Sequence, residues 1–227
     1  MKLLVNFVSV NVHWNRKKIL DYLKASKFEA IFMDLPEDFE PYIANASLPP
    51  EDFGWTQDLK ASRCLFDFCW KEKVSLYCYL PSTKSREIKD TQIELAKLVL
   101  KSKIGKIDVE EWREIILRDL EERKYSYEDI ALKIKMNAKN RNACLNLPAE
   151  VENRLKNDFL VNTVVLYNFR RPIDLLYELA KRELEGFRVD KEVWIRAIKG
   201  HIAFIDCVLE VGYEEACKIF EFWADNL

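Results

Sequence analysis

Glycine is scarce in this chain, five in 227 residues. No GxGxxG or GxxxxGK[ST] cluster follows any candidate strand, so the backbone cradles that usually hold nucleotide phosphates are missing and no nucleotide cofactor is expected. Histidine is scarcer still: His13 and His201 are the only two. The six cysteines, Cys64, Cys69, Cys78, Cys144, Cys207 and Cys217, form no CxxC pair and have no histidine at finger-like spacing. Neither a zinc knuckle nor a thioredoxin-like site is indicated, and the cysteines are expected to be reduced and mostly structural. No apolar run reaches membrane-spanning length, and "MKLLVNFVSVNVHWN" lacks a small-residue cleavage site, so no membrane association and a cytoplasmic location are expected. Charge of one sign is also lacking. The 36 basic and 38 acidic residues leave a formal charge of −2, without the basic excess of an electrostatic nucleic-acid binder.

What is present is a large apolar fraction, 49%, enough for a substantial core. Lysine and glutamate are abundant and glutamine appears only twice, a bias shared with proteins of hot environments. The first third alternates strand and helix signals. "LLVNFVSV" is a β-branched run of strand length, "NRKKILDYLKAS" places Ile19, Leu20 and Leu23 on one helical face, and "EAIFMDLP" is a second buried strand. "TQDLKASRCLFDFCWKEK" then reads as a helix and "VSLYCYL" as a third strand. This alternation predicts parallel pairing with right-handed crossovers. From Ser82 to about Asn157 the pattern turns helical, with Asp108 and Ser126 as N-caps. "DFLVNTVVLYNF" is ambiguous between helix and strand, and a helix from about Pro172 to Glu185 closes at Gly186. "EVWIRAIKGHIAFIDCVLEV" fits one helix, or a strand, a turn at Gly200 and a helix. The expected fold is α/β: a parallel or mixed sheet flanked by helices, with a mainly helical insertion and a helical C-terminal region. Residues 1–81 form the first half of the core, 82–157 the insertion or subdomain, and 158–227 the second half of the core with the C-terminal helices.

Three polar features are candidates for chemistry. His13 and Asp34 fall at the carboxyl ends of two strands expected to be neighbours, where parallel sheets bind ligands. A histidine held near a carboxylate serves as general base or metal ligand, although strand-end polar residues also commonly satisfy loop backbone groups. His201 is a hydrogen-bonded core histidine if its region is helical, and a third strand-end group if Gly200 makes a turn. The third feature, "YSYEDIALKIKMNAKNRNACL", has the look of a helix-turn-helix offering Lys139, Arg141 and Asn142 to nucleic acid, against the commoner alternative of a solvated face.

The order of these landmarks resembles the superfamily of TraB, ChaN and erythromycin-esterase-like proteins, which includes the Tiki-type metalloproteases. The matching stretches are "VSVNVHWN" with His13, "AIFMDLPED" with Asp34, "KNDFLVNTV" with Asp158 and Asn162, and "VWIRAIKGHIAF" with Gly200 and His201. Both histidines of the chain fall on matching positions. The chain departs from the pattern in three places: no glycine precedes His13, Asp34 stands where glutamate is usual, and Asn157 where arginine is usual. The resemblance implies a hydrolase-type pocket acting on a peptide or ester bond. His13, Asp34 and His201 would bind a divalent metal such as zinc, manganese or cobalt, or activate water directly. The rival expectation is a non-catalytic interaction or scaffold protein, whose six tryptophans, nine tyrosines and thirteen phenylalanines supply a partner surface.

Overall fold

The computed structural model describes residues 1–47, 55–124, 126–167 and 169–223. The chain separates into two compact units, one made of Met1–Arg86 and Tyr125–Asn168, the other of Glu87–Lys124 and Phe169–Leu227.

The first unit is α/β. Strands β1 (Lys2–Val8), β2 (Ala30–Pro36), β3 (Ser75–Leu80), β4 (Arg141–Leu145) and β5 (Phe159–Val165) form one sheet in the order β3-β2-β4-β1-β5. Every neighbouring pair is parallel. Around this sheet lie helices α1 (His13–Ser26), α2 (Glu40–Ala44), α3 (Thr56–Glu72), α6 (Tyr127–Asn137) and α7 (Ala149–Leu155), and helix α4 (Ser82–Ile104) leaves from the end of β3. Alternation along the strands assigns the two faces. Leu4, Ala30, Phe32 and Cys144 join Ile130, Ile134, Val151 and Leu155 of α6 and α7 in one core. Phe7, one pleat over, points the other way and meets Tyr22 of α1, with ring centroids 5.5 Å apart; α1 in turn packs on α3. Both faces are therefore covered, which is why the inner strands read as nearly continuous apolar runs.

Three features differ from the sequence expectation. The block 82–157 is not one helical insertion: residues 87–124 belong to the second unit, and the chain then returns to supply β4. The same return overturns the helix-turn-helix, because residues 141–145 form a strand where a second helix was expected. Asn142 is buried in the sheet, donating through Nδ2 to Leu3 O (2.9 Å) and Lys139 O (2.9 Å) and accepting from Lys139 N (2.7 Å). Arg141 lies over the Phe28 ring. The short run is β-forming because all its residues after Arg141 are buried between β1 and β2. Moreover, β4 separates β1 from β2, so the strands carrying Asp34 and leading to His13 are not neighbours.

The second unit is helical among its described residues. It contains the greater part of α4, together with α5 (Val109–Lys124), α8 (Pro172–Leu184), α9 (Lys191–Val211) and α10 (Tyr213–Ile219). Asp108 caps α5 as expected, accepting from Glu110 N at 3.1 Å. Leu98, Trp112, Ile116, Leu176, Trp194 and Ile198 are among the residues of its core. The run of residues 191–211 is one continuous helix, so the strand-and-turn alternative around Gly200 does not occur. Gly200 has a different purpose there: a methyl group at this position would fall 1.8 Å from an indole carbon of Trp223. The glycine makes room for the ring. Among the described residues, no helix is long and apolar enough to cross a membrane.

Candidate functional site

In a doubly wound sheet, the ligand crevice opens where successive connections leave for opposite faces. Here α1, which connects β1 to β2, lies on the face of Phe7, while α7, which connects β4 to β5, lies on the face of Leu4. Because β1 and β4 are neighbours, the switch point falls between their carboxyl ends.

Polar side chains gather there. Asn146 follows β4 directly, and its carboxamide accepts from Ser9 N (2.9 Å) and donates to Asp34 Oδ2 (2.6 Å) and Asn11 Oδ1 (3.1 Å). Its backbone is left-handed, with φ +51, a conformation that asparagine tolerates better than most side chains. Asp34, near the end of β2, accepts from Arg16 Nη2 at 2.9 Å through Oδ1. Asn11, on the β1–α1 loop, donates to Asp34 Oδ2 (3.4 Å) and to Asp58 of the first turn of α3, and accepts from Arg16. Gln57 Nε2 donates to the Asn11 carbonyl at 3.3 Å. Below this cluster, the buried Asn6 braces β1 against the chain after β4, donating to Leu147 O (3.0 Å) and accepting from Leu147 N (2.9 Å).

Arg16 is the unusual member. Its side chain has no exposed surface, while that of its partner Asp34 is 13% exposed. It reaches back along α1 toward the helix N-terminus, as side chains on the first turn do. Nη2 carries the bonds to Asp34 and Asn11, whereas Nε and Nη1 have no partner. Nearby in sequence, Ser9 Oγ, Trp14 Nε1 and Asn15 Oδ1 are likewise buried and unpartnered. A buried donor without a partner costs about 1–3 kcal/mol, and more when charged. Such atoms set this junction apart from an ordinary core, where buried polar groups are paired.

Of the three residues singled out from sequence, His13 and Asp34 belong to the first unit and His201 to the second. Asp34 stands in the cluster; His13, the first residue of α1, is exposed two positions beyond Asn11. His201 is a residue of the second unit, buried in mid-helix, edge-on to Trp112 with centroids 5.9 Å apart. It borders an apolar cavity of about 410 Å³ with Leu95, Val99 and Ile205. Burial, reinforced by the positive charge of Arg171, pushes its pKa down to about 4, which keeps the imidazole neutral. Among the described residues, no group of three or more His, Cys, Asp or Glu side chains is arranged to hold a metal ion. All six cysteines are free, and burial raises Cys69 to about 12 and Cys217 to about 11, which disfavours the thiolate at these two.

Arg16, Asn11, Asp58 and Asn146 escaped the sequence reading. Arg16 sits within "NRKK", which looks like a solvated basic face; the available signal was that Arg16 and Ile19 are three apart and so share a side of the helix. Comparison with protein-family models, curated proteins and solved structures gives no match to the chain.

Proposed function

We propose that the chain is a hydrolase-like protein acting on a peptide or ester bond, with its substrate site at the carboxyl edge of the five-stranded sheet. The observation that carries this reading is the Asn11–Arg16–Asp34–Asp58–Asn146 cluster at the strand switch point, where α/β sheets of this kind hold their ligands. The resemblance of "VSVNVHWN" and "AIFMDLPED" to the erythromycin-esterase-like group points to the same chemistry.

In this reading His13 is the base. It takes a proton from water, the oxygen attacks the carbonyl carbon, and the proton passes to the leaving alcohol or amine as its bond to carbon breaks. Asp34 is a positioning residue: it fixes Arg16 and, through Asn146, the loop that follows β1. The carboxamides of Asn11 and Asn146 orient polar groups of the substrate. His201 takes no part, and no step passes through a metal.

The test is a panel of aryl esters and aminoacyl arylamides, assayed after chelation and again with zinc, manganese or cobalt. Turnover is expected in the chelated wild type, to fall by about 100-fold or more in His13→Ala, and to persist in His201→Leu. Turnover that survives in His13→Ala removes the proposed base. The absence of turnover under every condition favours the second reading, a non-catalytic interaction protein. One observation supports that reading: both Asp34 carboxylate oxygens are already engaged by Arg16 and Asn146.

A further inference from the structure

The two edges of the sheet are finished differently. At the β3 edge the chain covers its own strand: Glu40 of α2 accepts from Cys78 N at 2.7 Å, and Glu37 accepts from Ser82 N at 2.9 Å just past the strand's end. At the β5 edge no such cover is found among the described residues. Leu166 N donates to Val8 O at 3.0 Å, so Leu160, Asn162 and Val164 turn their backbone groups to β1, while Val161, Thr163 and Val165 turn theirs outward. Among the described residues, none of these outward groups has a hydrogen bond; the bond that Thr163 makes runs from its hydroxyl to Glu152 Oε1, at 3.0 Å. The strand also lacks the usual guards of an open edge. "FLVNTVV" carries no charge and no proline, and its register with β1 is unbroken by a bulge, in a chain that is 33% charged. Leu160 and Val165 are 51% and 59% exposed. Unpaired backbone groups beside exposed apolar side chains are a template for a further strand.

The sequence of β5 matches itself. When two copies of the strand run antiparallel, the register that uses all seven residues sets Asn162 opposite Asn162 on a two-fold axis. Outward residues then meet outward residues, and Val161 exchanges both backbone bonds with Thr163 of the other copy. Leu160 faces Val164 and Phe159 faces Val165, apolar pairs of the kind that stabilise a ladder, and nowhere along the strand does a charge face a charge. A strand of charged composition, by contrast, finds no counter-charge on β5. We infer that β5 is an interface for a second copy of this chain, paired antiparallel about Asn162 so that one sheet runs through both copies. The axis closes the assembly at two, because the β3 edge is already covered. Two short strands bury less surface than a permanent dimer does, so the association is weak and follows concentration. It goes beyond the proposed hydrolase reading and does not rest on it.

The experiment is sedimentation velocity of the full-length protein over a concentration series, with Asn162→Lys, Asn162→Asp and an equimolar mixture of the two. Asn162 is exposed and its side chain has no hydrogen bond among the described residues, so neither change removes a native contact. The wild type is expected to pass from monomer to dimer as concentration rises. Each variant alone is expected to dimerise about tenfold more weakly, or not at all, because like charges then face each other across the axis. The mixture, in which lysine faces aspartate, is expected to regain the dimer. The inference is overturned if the wild type stays monomeric throughout, if it forms assemblies larger than a dimer, or if both variants dimerise as the wild type does. A mixture that associates no better than the single variants overturns the register about Asn162. Should a charged variant fail to fold, Thr163→Pro decides: it deletes an outward N–H while leaving the bonds to β1, and an undiminished dimer in that variant overturns the inference.

Discussion

Arg16 and Asp34 form an ion pair, 2.9 Å from Nη2 to Oδ1, in which the guanidinium has no contact with solvent. A charge removed from water in this way depends on its partner, because the alternative is an uncompensated ion in a poorly polarisable surrounding. Removal of either partner alone, Arg16→Met or Asp34→Leu, is expected to cost about 3–5 kcal/mol. The double variant should lose much less than the sum. Urea unfolding of the four proteins checks this, and simple additivity would mean that the pair is uncoupled.

Asn146 combines a positive φ with three side-chain hydrogen bonds. Asn146→Ala loses the bonds and keeps the backbone penalty, whereas Asn146→Gly loses the bonds and removes the penalty. Both variants should be less stable than the wild type, with the glycine variant about 1 kcal/mol above the alanine one. Equal stabilities would show that the backbone is not what selects asparagine here.

His201 is neutral in the folded chain because burial pushes its pKa from the ordinary 6.5 down to about 4. Between those values the unfolded chain binds the extra proton and the folded one does not. Stability due to this group is therefore complete above about pH 6.5 and is lost as pH falls toward 4, amounting to about 3 kcal/mol at most. Thermal melts of wild type and His201→Leu from pH 4 to 7.5 should converge in slope above pH 6.5 and diverge below it, with the wild type falling faster. Parallel curves across the window would contradict this assignment.

Gly200→Ala forces the Trp223 ring away from α9, since the added methyl would fall 1.8 Å from it. A loss of about 1–3 kcal/mol is expected from such overpacking. In a Trp223→Ala background the sign reverses, and the same change stabilises by about 0.5–1 kcal/mol, because alanine suits a helix interior better than glycine. A loss in both backgrounds would rule out the ring as the reason for the glycine.

Much of the first unit was legible in the sequence. β1, α1, β2, α3 and β3 all lie where the alternation of "LLVNFVSV", "NRKKILDYLKAS", "EAIFMDLP", "TQDLKASRCLFDFCWKEK" and "VSLYCYL" put them, since both-face burial makes a strand apolar throughout and a helix periodic. β4 was not legible. Its five residues, "RNACL", are framed by asparagine and lysine, and only the neighbouring strands on both sides make them a strand. β5 was ambiguous because it lies at the edge of the sheet, with four of its seven residues exposed, and so lacks a uniform apolar run. For α9 the deciding signal was present: Trp194, Ala197, Ile198, His201 and Phe204 recur every three or four residues, a helical spacing that Gly200 obscured. Of the site, Asp34 and its strand-end position were readable. Its partners were not, because Asn11 and Arg16, Asp58, and Asn146 come from three segments far apart in the chain that only the fold brings together.

The position of β4 also governs the order in which this sheet can be completed. β1 and β2 are made early in synthesis, yet neither has its inner neighbour until residues 141–145 have emerged, more than a hundred residues later. During that interval two apolar strand edges stand open, and only β2 with β3 has a partner to close on. Pairings this distant along the chain are slow to form and leave nascent edges available to other chains. Of the five strands, the central one is thus the keystone of assembly, and a chain interrupted before it should be the form most prone to aggregate.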